Sequence, residues 1–114
     1  MNMDNLNTQL INEYVQALGQ DVFIQTVELY EQQAQAYLHQ LGEVAKIADH
    51  VQWQLQCHAM KSAAGNMGLQ QLHAMLSSLE HSQETALQLT QRVEQLTQLN
   101  QQSLQQLKQW LAQG

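Results

Sequence analysis

No proline falls anywhere in the 114 residues, and apolar residues recur along them every three or four positions. A chain without its strongest helix breaker and with that period has one economical solution, a set of amphipathic helices packed on each other. Leu6, Leu10, Tyr14 and Leu18, with Ile11 and Val15 alongside, define a short first helix. Gly19 is placed to stop it, and Asp21 to cap the next. The set Phe23, Ile24, Val27, Tyr30, Ala34, Tyr37, Leu38, Leu41 and Val44 then spans a helix of roughly 25 residues. Gly42 lies inside it, a weak point of about 1 kcal/mol relative to alanine. Asp49 reads as the N-cap of a third helix ending near Asn66, with Gly65, Asn66 and Gly68 available for the turn. Leu72, Met75, Leu76 and Leu79 mark a fourth helix over about Leu69 to Glu80. Ser82 is the expected cap of a fifth, which carries Leu89, Val93, Leu96, Leu104, Leu107 and Leu111, with Asn100 interrupting the stripe. The expectation is an all-α, up-and-down bundle forming a single domain over residues 1–114.

Composition narrows the function classes. The 24 glutamines are interrupted by apolar residues at helical spacing, so they coat helix faces rather than form a low-complexity tract. The formal net charge of −6 speaks against a nucleic-acid partner, because phosphate contacts need a basic patch. Cys57 is the only cysteine; it can form no internal disulfide and fits a reducing cytoplasm. No apolar run approaches the length that spans a bilayer. Met1 to Leu10 is polar and shows no signal peptide. No glycine-rich phosphate loop is present, which excludes a nucleotide-binding kinase domain for this chain.

The third helix carries the chemistry. Trp53, Cys57, Met60, Ala64 and Met67 are spaced 4, 3, 4 and 3, one apolar stripe at about 100° per residue. With that stripe turned inward, His58 points roughly 140° away, into water. Ser62 lies nearly opposite the core, and Lys61 at the flank one turn beyond His58. Gly65 stands two turns beyond His58 on the same outward face. Small residues around an exposed imidazole leave room for a partner. An ammonium three positions on would repel an imidazolium but attract a dianionic group attached to the ring. That arrangement suits a histidine that accepts a phosphoryl group.

The segment His58-Ala59-Met60-Lys61-Ser62-Ala63-Ala64-Gly65-Asn66-Met67-Gly68 resembles the signature of histidine-containing phosphotransfer domains, broadly H-x-L-K-G-x-A-x-x-x-G. His58, Lys61, Ala63 or Ala64, and Gly68 match. Met60 replaces the usual leucine, and Ser62 stands where glycine is usual. The alanines and Gly65 look closest to the domains that end hybrid sensor kinases of the anaerobic-response or trimethylamine-oxide type. The Lys61-Ser62 pair is similar to that of the free-standing quorum-sensing shuttle. The resemblance implies a four-helix bundle with a short extra N-terminal helix. It implies that His58 takes a phosphoryl group on Nε2 from the aspartyl phosphate of a receiver domain and passes it to a second receiver. Lys61 would balance the phosphoryl charge, and Ser62 would donate its hydroxyl to the phosphoryl oxygens. Several family members place a glutamine 22 positions after the histidine. Here that position is Glu80, which would accept from His58 Nδ1–H and strengthen the imidazole as a base. Gln54 and Gly65 would belong to the surface on which a receiver docks. The receiver would bring Mg²⁺ and the acceptor aspartate; the chain itself would need no cofactor and would be no autonomous enzyme. A cytoplasmic monomer is expected, either free or tethered within a membrane-bound sensor kinase.

Other constellations are weaker. His39, His50, His58, His73 and His81 include no i,i+4 pair and no Glu-x-x-His pair, so no metal site is expected. Cys57 and His58 are neighbours but point about 100° apart, which makes Cys57 an inert core thiol rather than half of a dyad. Met60, Met67 and Met75 read as core filler, and Trp110 as part of the helix that closes the bundle. The alternative function is a helical adaptor that binds a partner through an exposed apolar groove and carries no phosphate. In that case His58 would be dispensable.

Overall fold

The computed structural model describes residues 5–113. Residues 1–4 and 114, which include the start of the polar Met1–Leu10 stretch and the ends of the expected 1–114 domain, lie outside the described residues. Five helices follow one another: α1 (Thr8–Leu18), α2 (Gln20–Lys46), α3 (His50–Asn66), α4 (Gln70–Leu79) and α5 (Ala86–Gln113). Among the described residues the only β-type pairing is an isolated bridge between Leu6 and Leu69.

The helix ends show where local chemistry decided and where it was overruled. Gly19 sits at φ +88°, separating α1 from α2 in a single residue, and its N–H donates to Val15 O at 2.8 Å. Because α2 begins immediately at Gln20, Asp21 is not its N-cap; Gly19 holds that place without a side-chain bond. Asp21 instead lies in the first turn, where a carboxylate still favours the helix dipole. Gly42 leaves α2 unbroken over 27 residues. Asp49 caps α3 as expected, its Oδ1 accepting from Gln52 N at 3.1 Å. The following turn is tighter than the sequence implies: Gly65 and Asn66 remain helical, and only Gly68, at φ +76°, adopts the left-handed conformation. Ser82 does not cap α5. Its hydroxyl pairs with Glu84 inside the loop, and the cap is Thr85. Gln88 N donates to Thr85 Oγ1 at 3.2 Å while Thr85 N donates to Gln88 Oε1 at 3.0 Å. This reciprocal T-x-x-Q box satisfies two orphan donors at once, which a lone serine three residues earlier cannot do.

Helix α2 packs on α3, α3 on α4, α4 on α5, and α5 back on α2, closing a four-membered ring with α1 laid against α2. That is the up-and-down bundle with an extra N-terminal helix. It is elongated, 43 × 27 × 17 Å with a radius of gyration of 14.5 Å, against about 13 Å for a compact domain of this length. The whole stripe Trp53, Cys57, Met60, Ala64 and Met67 is buried, along with Phe23, Leu41, Leu72, Leu76, Leu89, Leu96 and Leu107. Asn100, the interruption in the α5 stripe, is buried as well and accepts from Tyr30 Oη across the α2–α5 interface at 2.9 Å. Trp110 packs partly buried against the core.

Candidate functional site

His58 lies near the middle of α3, with its side chain 63% exposed. The buried stripe on the opposite side of the helix fixes that orientation, since rotating His58 inward would expel Trp53 and Cys57. Gln54, one turn before it, and Ser62, one turn after it, are both exposed. Lys61 departs from the solvent-facing pattern. Its side chain is only 20% exposed, because it leans toward the end of α4 and meets Glu80 there, Nζ to Oε1 at 2.7 Å.

Glu80 occupies the C-cap of α4 and is 7% exposed. The indole of Trp53 holds this end of α4 against α3, with Nε1 donating to Leu79 O at 2.8 Å. Glu80 Oε1 is sealed from solvent and faces two α3 groups, the Lys61 ammonium at 2.7 Å and His58 Nδ1 at 3.5 Å. The first is a contact ion pair. The second is too long for a strong hydrogen bond and acts as an electrostatic orientation. On the other oxygen, His81 Nε2 lies 3.5 Å from Oε2. The Lys61 ammonium holds the Glu80 carboxyl below the ordinary carboxylate range, against burial, which pushes the other way; the His58 ring adds to the lowering. Because Nδ1 of His58 faces the carboxylate, Nε2 is the ring nitrogen turned away from the protein. An exposed imidazole, a cation within the same cluster and a buried carboxylate behind the ring are thereby brought together by two helices.

The remaining sequence candidates fall around this centre. Ser62 lines a groove between α2 and α3 with Leu29, Gln33, Ala59 and Ala63, so it flanks His58 on the side away from Lys61. Gly65 has a reason inside the chain: a Cβ there would stand 3.0 Å from Cδ2 of His73 on α4. The clearance expected for a partner is thus bordered by the His73 ring. Cys57 is buried, and burial together with the neighbouring Glu80 charge pushes its thiol up to about 12. Among the described residues no three His, Cys, Asp or Glu side chains gather as a metal site would require. Missed in the sequence was the stripe Val51 and Leu55, 69% and 57% exposed, on the face of α3 that carries His58. The signal was present, since both residues fall outside the buried 4-3-4-3 set.

No family model matches the chain, and no curated protein matches it. Its structure does have a counterpart. The fold is that of a histidine-containing phosphotransfer bundle. The particular structure it resembles is the histidine-containing phosphotransfer domain of ArcB from Escherichia coli, with a TM-score of 0.81 at 19% sequence identity. The match covers 95% of this chain and 93% of that one. At that identity the likeness shows a shared fold.

Proposed function

We propose that this chain is a phosphorelay intermediate of two-component signalling. His58 accepts a phosphoryl group from the aspartyl phosphate of one receiver domain and hands it to the aspartate of another. The observation that carries this reading is the His58–Lys61–Glu80 cluster: an exposed imidazole whose Nε2 faces water, on a helix of this fold, with an ammonium one turn away. Phosphoryl transfer asks little covalent chemistry of a protein and much positioning and charge compensation. Here α3 supplies the nucleophile and the cation, and the receiver supplies Mg²⁺ and the second carboxylate. The chain is then a transfer module rather than an autonomous enzyme. The docking face comprises Gln54, Val51 and Leu55 before His58 and Ser62 after it, with Gly65 at the α4 border. Two of the exposed apolar residues, Val51 and Leu55, lie on this same face, where a docked receiver would cover them. A monomer in the cytoplasm, alone or tethered to a sensor kinase, fits the reading; no helix of the described residues is long and apolar enough to cross a membrane.

The test is incubation of the chain with a phosphorylated receiver and Mg²⁺. The expected product is a phosphoprotein whose label survives alkali and is lost in acid, as a phosphoramidate is. No uptake from a broad panel of receivers would move the reading to the adaptor.

A further inference from the structure

A carboxylate is a costly neighbour for a residue that must carry a dianion, yet Glu80 is buried directly behind His58 and occupies the cation that the phosphoryl group would need. Its partners are all cationic or potentially so: Lys61 at 2.7 Å and His58 Nδ1 at 3.5 Å from α3, and His81 at 3.5 Å from the adjoining turn. Trp53 anchors the backbone of the preceding residue, with Nε1 donating to Leu79 O at 2.8 Å, which keeps this end of α4 against α3. Building on the relay reading above, we propose that Glu80 retains Lys61 in competition with the phosphoryl group on His58, so that the phosphoryl group stays transferable instead of being stored.

The chemistry follows from the geometry. In the uptake step the Nε2 lone pair forms the N–P bond as the P–O bond to the receiver aspartate breaks, its electron pair leaving on the carboxylate. The ring takes a positive charge and keeps its Nδ1 proton, which faces Glu80 Oε1. In the delivery step the N–P electron pair returns to the ring as the next aspartate attacks. A ring that has kept its Nδ1 proton leaves as neutral imidazole rather than as imidazolate, and is the better leaving group. Glu80 withholds part of Lys61 from the phosphoryl oxygens, leaving their charge less compensated than it would be with the ammonium free. That raises the tendency of phospho-His58 to discharge. Glu80 is therefore a positioning residue that biases the direction of flow.

The experiment is the equilibrium partition of phosphoryl between His58 and the aspartate of a receiver that exchanges with it, measured with the full chain. Glu80→Gln, which keeps the shape and loses the charge, is expected to move the partition toward phospho-His58 about tenfold, the order of one charge-assisted contact regained by the phosphoryl group. Lys61→Ala is expected to move it toward the receiver. In the Lys61→Ala background most of the Glu80→Gln effect disappears, and Glu80→Asp restores much of the wild-type partition. An unchanged partition in Glu80→Gln, a shift toward the receiver, or an equal effect with and without Lys61 would overturn the proposal. NMR of the Lys61 ammonium, before and after phosphoramidate treatment, needs no variant: persistence of its Glu80 contact supports the competition, and complete transfer to the phosphoryl group refutes it. A wild-type chain that takes phosphoryl from no receiver and from no phosphoramidate fails at the relay reading itself. A chain that is labelled but indifferent to Glu80 fails at this inference alone.

Discussion

At the scale of single residues, the site separates groups that act from groups that only pack. Lys61 stands at the flank of α3 and pairs with the buried Glu80 carboxylate at 2.7 Å. Lys61→Ala is therefore expected to slow phosphoryl transfer by tenfold or more, about 1.4 kcal/mol, and to lower the urea midpoint, because Glu80 is left buried without its cation. Equal rates in the two proteins would remove it from the site. Cys57 illustrates the opposite case. Its thiol is pushed up to about 12 by burial and by the Glu80 charge, so almost no thiolate exists at neutral pH. A thiol-reactive dye should label it only after unfolding; rapid labelling of the folded chain would place Cys57 in solvent. The outward orientation of His58 was legible from the spacing of the apolar stripe. The burial of Lys61 was not, because it depends on Glu80 arriving from another helix, and no periodicity within α3 encodes that.

At the scale of helices and their junctions, the α3–α4 turn is the most constrained point. Gly68 lies at φ +76°, and a Cβ would stand 2.9 Å from Cγ1 of Ile11 and 3.3 Å from Asn7 O. The same glycine carbonyl accepts from Asn7 N at 2.8 Å, docking the start of α1 on the turn. Gly68→Ala should destabilise the fold by about 1–3 kcal/mol, combining backbone strain with a clash that backbone and a buried side chain cannot easily relieve. A urea midpoint equal to wild type would contradict this account of the turn. By contrast, the group beside Gly65 is the far end of an exposed His73 side chain, which can move. Sequence reading found the helices and most of their ends, since hydrophobic period and capping chemistry are local. Ser82 and Thr85 are both cap-forming residue types, and the reciprocal bonds between Thr85 and Gln88 decide between them. Sequence reading could not find the Asn7–Gly68 or Tyr30–Asn100 contacts, which join positions distant in the chain.

At the scale of the whole molecule, closure of the α2–α3–α4–α5 ring brings Lys61 of α3 onto Glu80 at the end of α4 and Arg92 of α5 onto Glu84 in the preceding loop. Lys61 holds Glu80 below the ordinary carboxylate range, and Arg92, bonding Glu84 through two nitrogens at 3.1 and 2.9 Å, does the same there. Both carboxyls are lower in the folded chain than their ordinary value of 4.5. Their contribution to stability is therefore complete above that pH and is lost as pH falls through the depressed folded values. Thermal midpoints should decline from about pH 4.5 downward, less steeply at high salt where the exposed parts of these pairs are screened; a flat profile to pH 2 would show the pairs contribute nothing. The central claim, that this bundle exists to present Nε2 of His58, is tested most directly by NMR of the phosphoramidate-treated chain, correlating the phosphorus with ring protons. The account predicts one phosphorylated site, at Nε2 of His58, and no such signal in His58→Gln, which keeps its fold. Phosphorus on Nδ1 of His58, or on His39, His50, His73 or His81 in preference to His58, would contradict it.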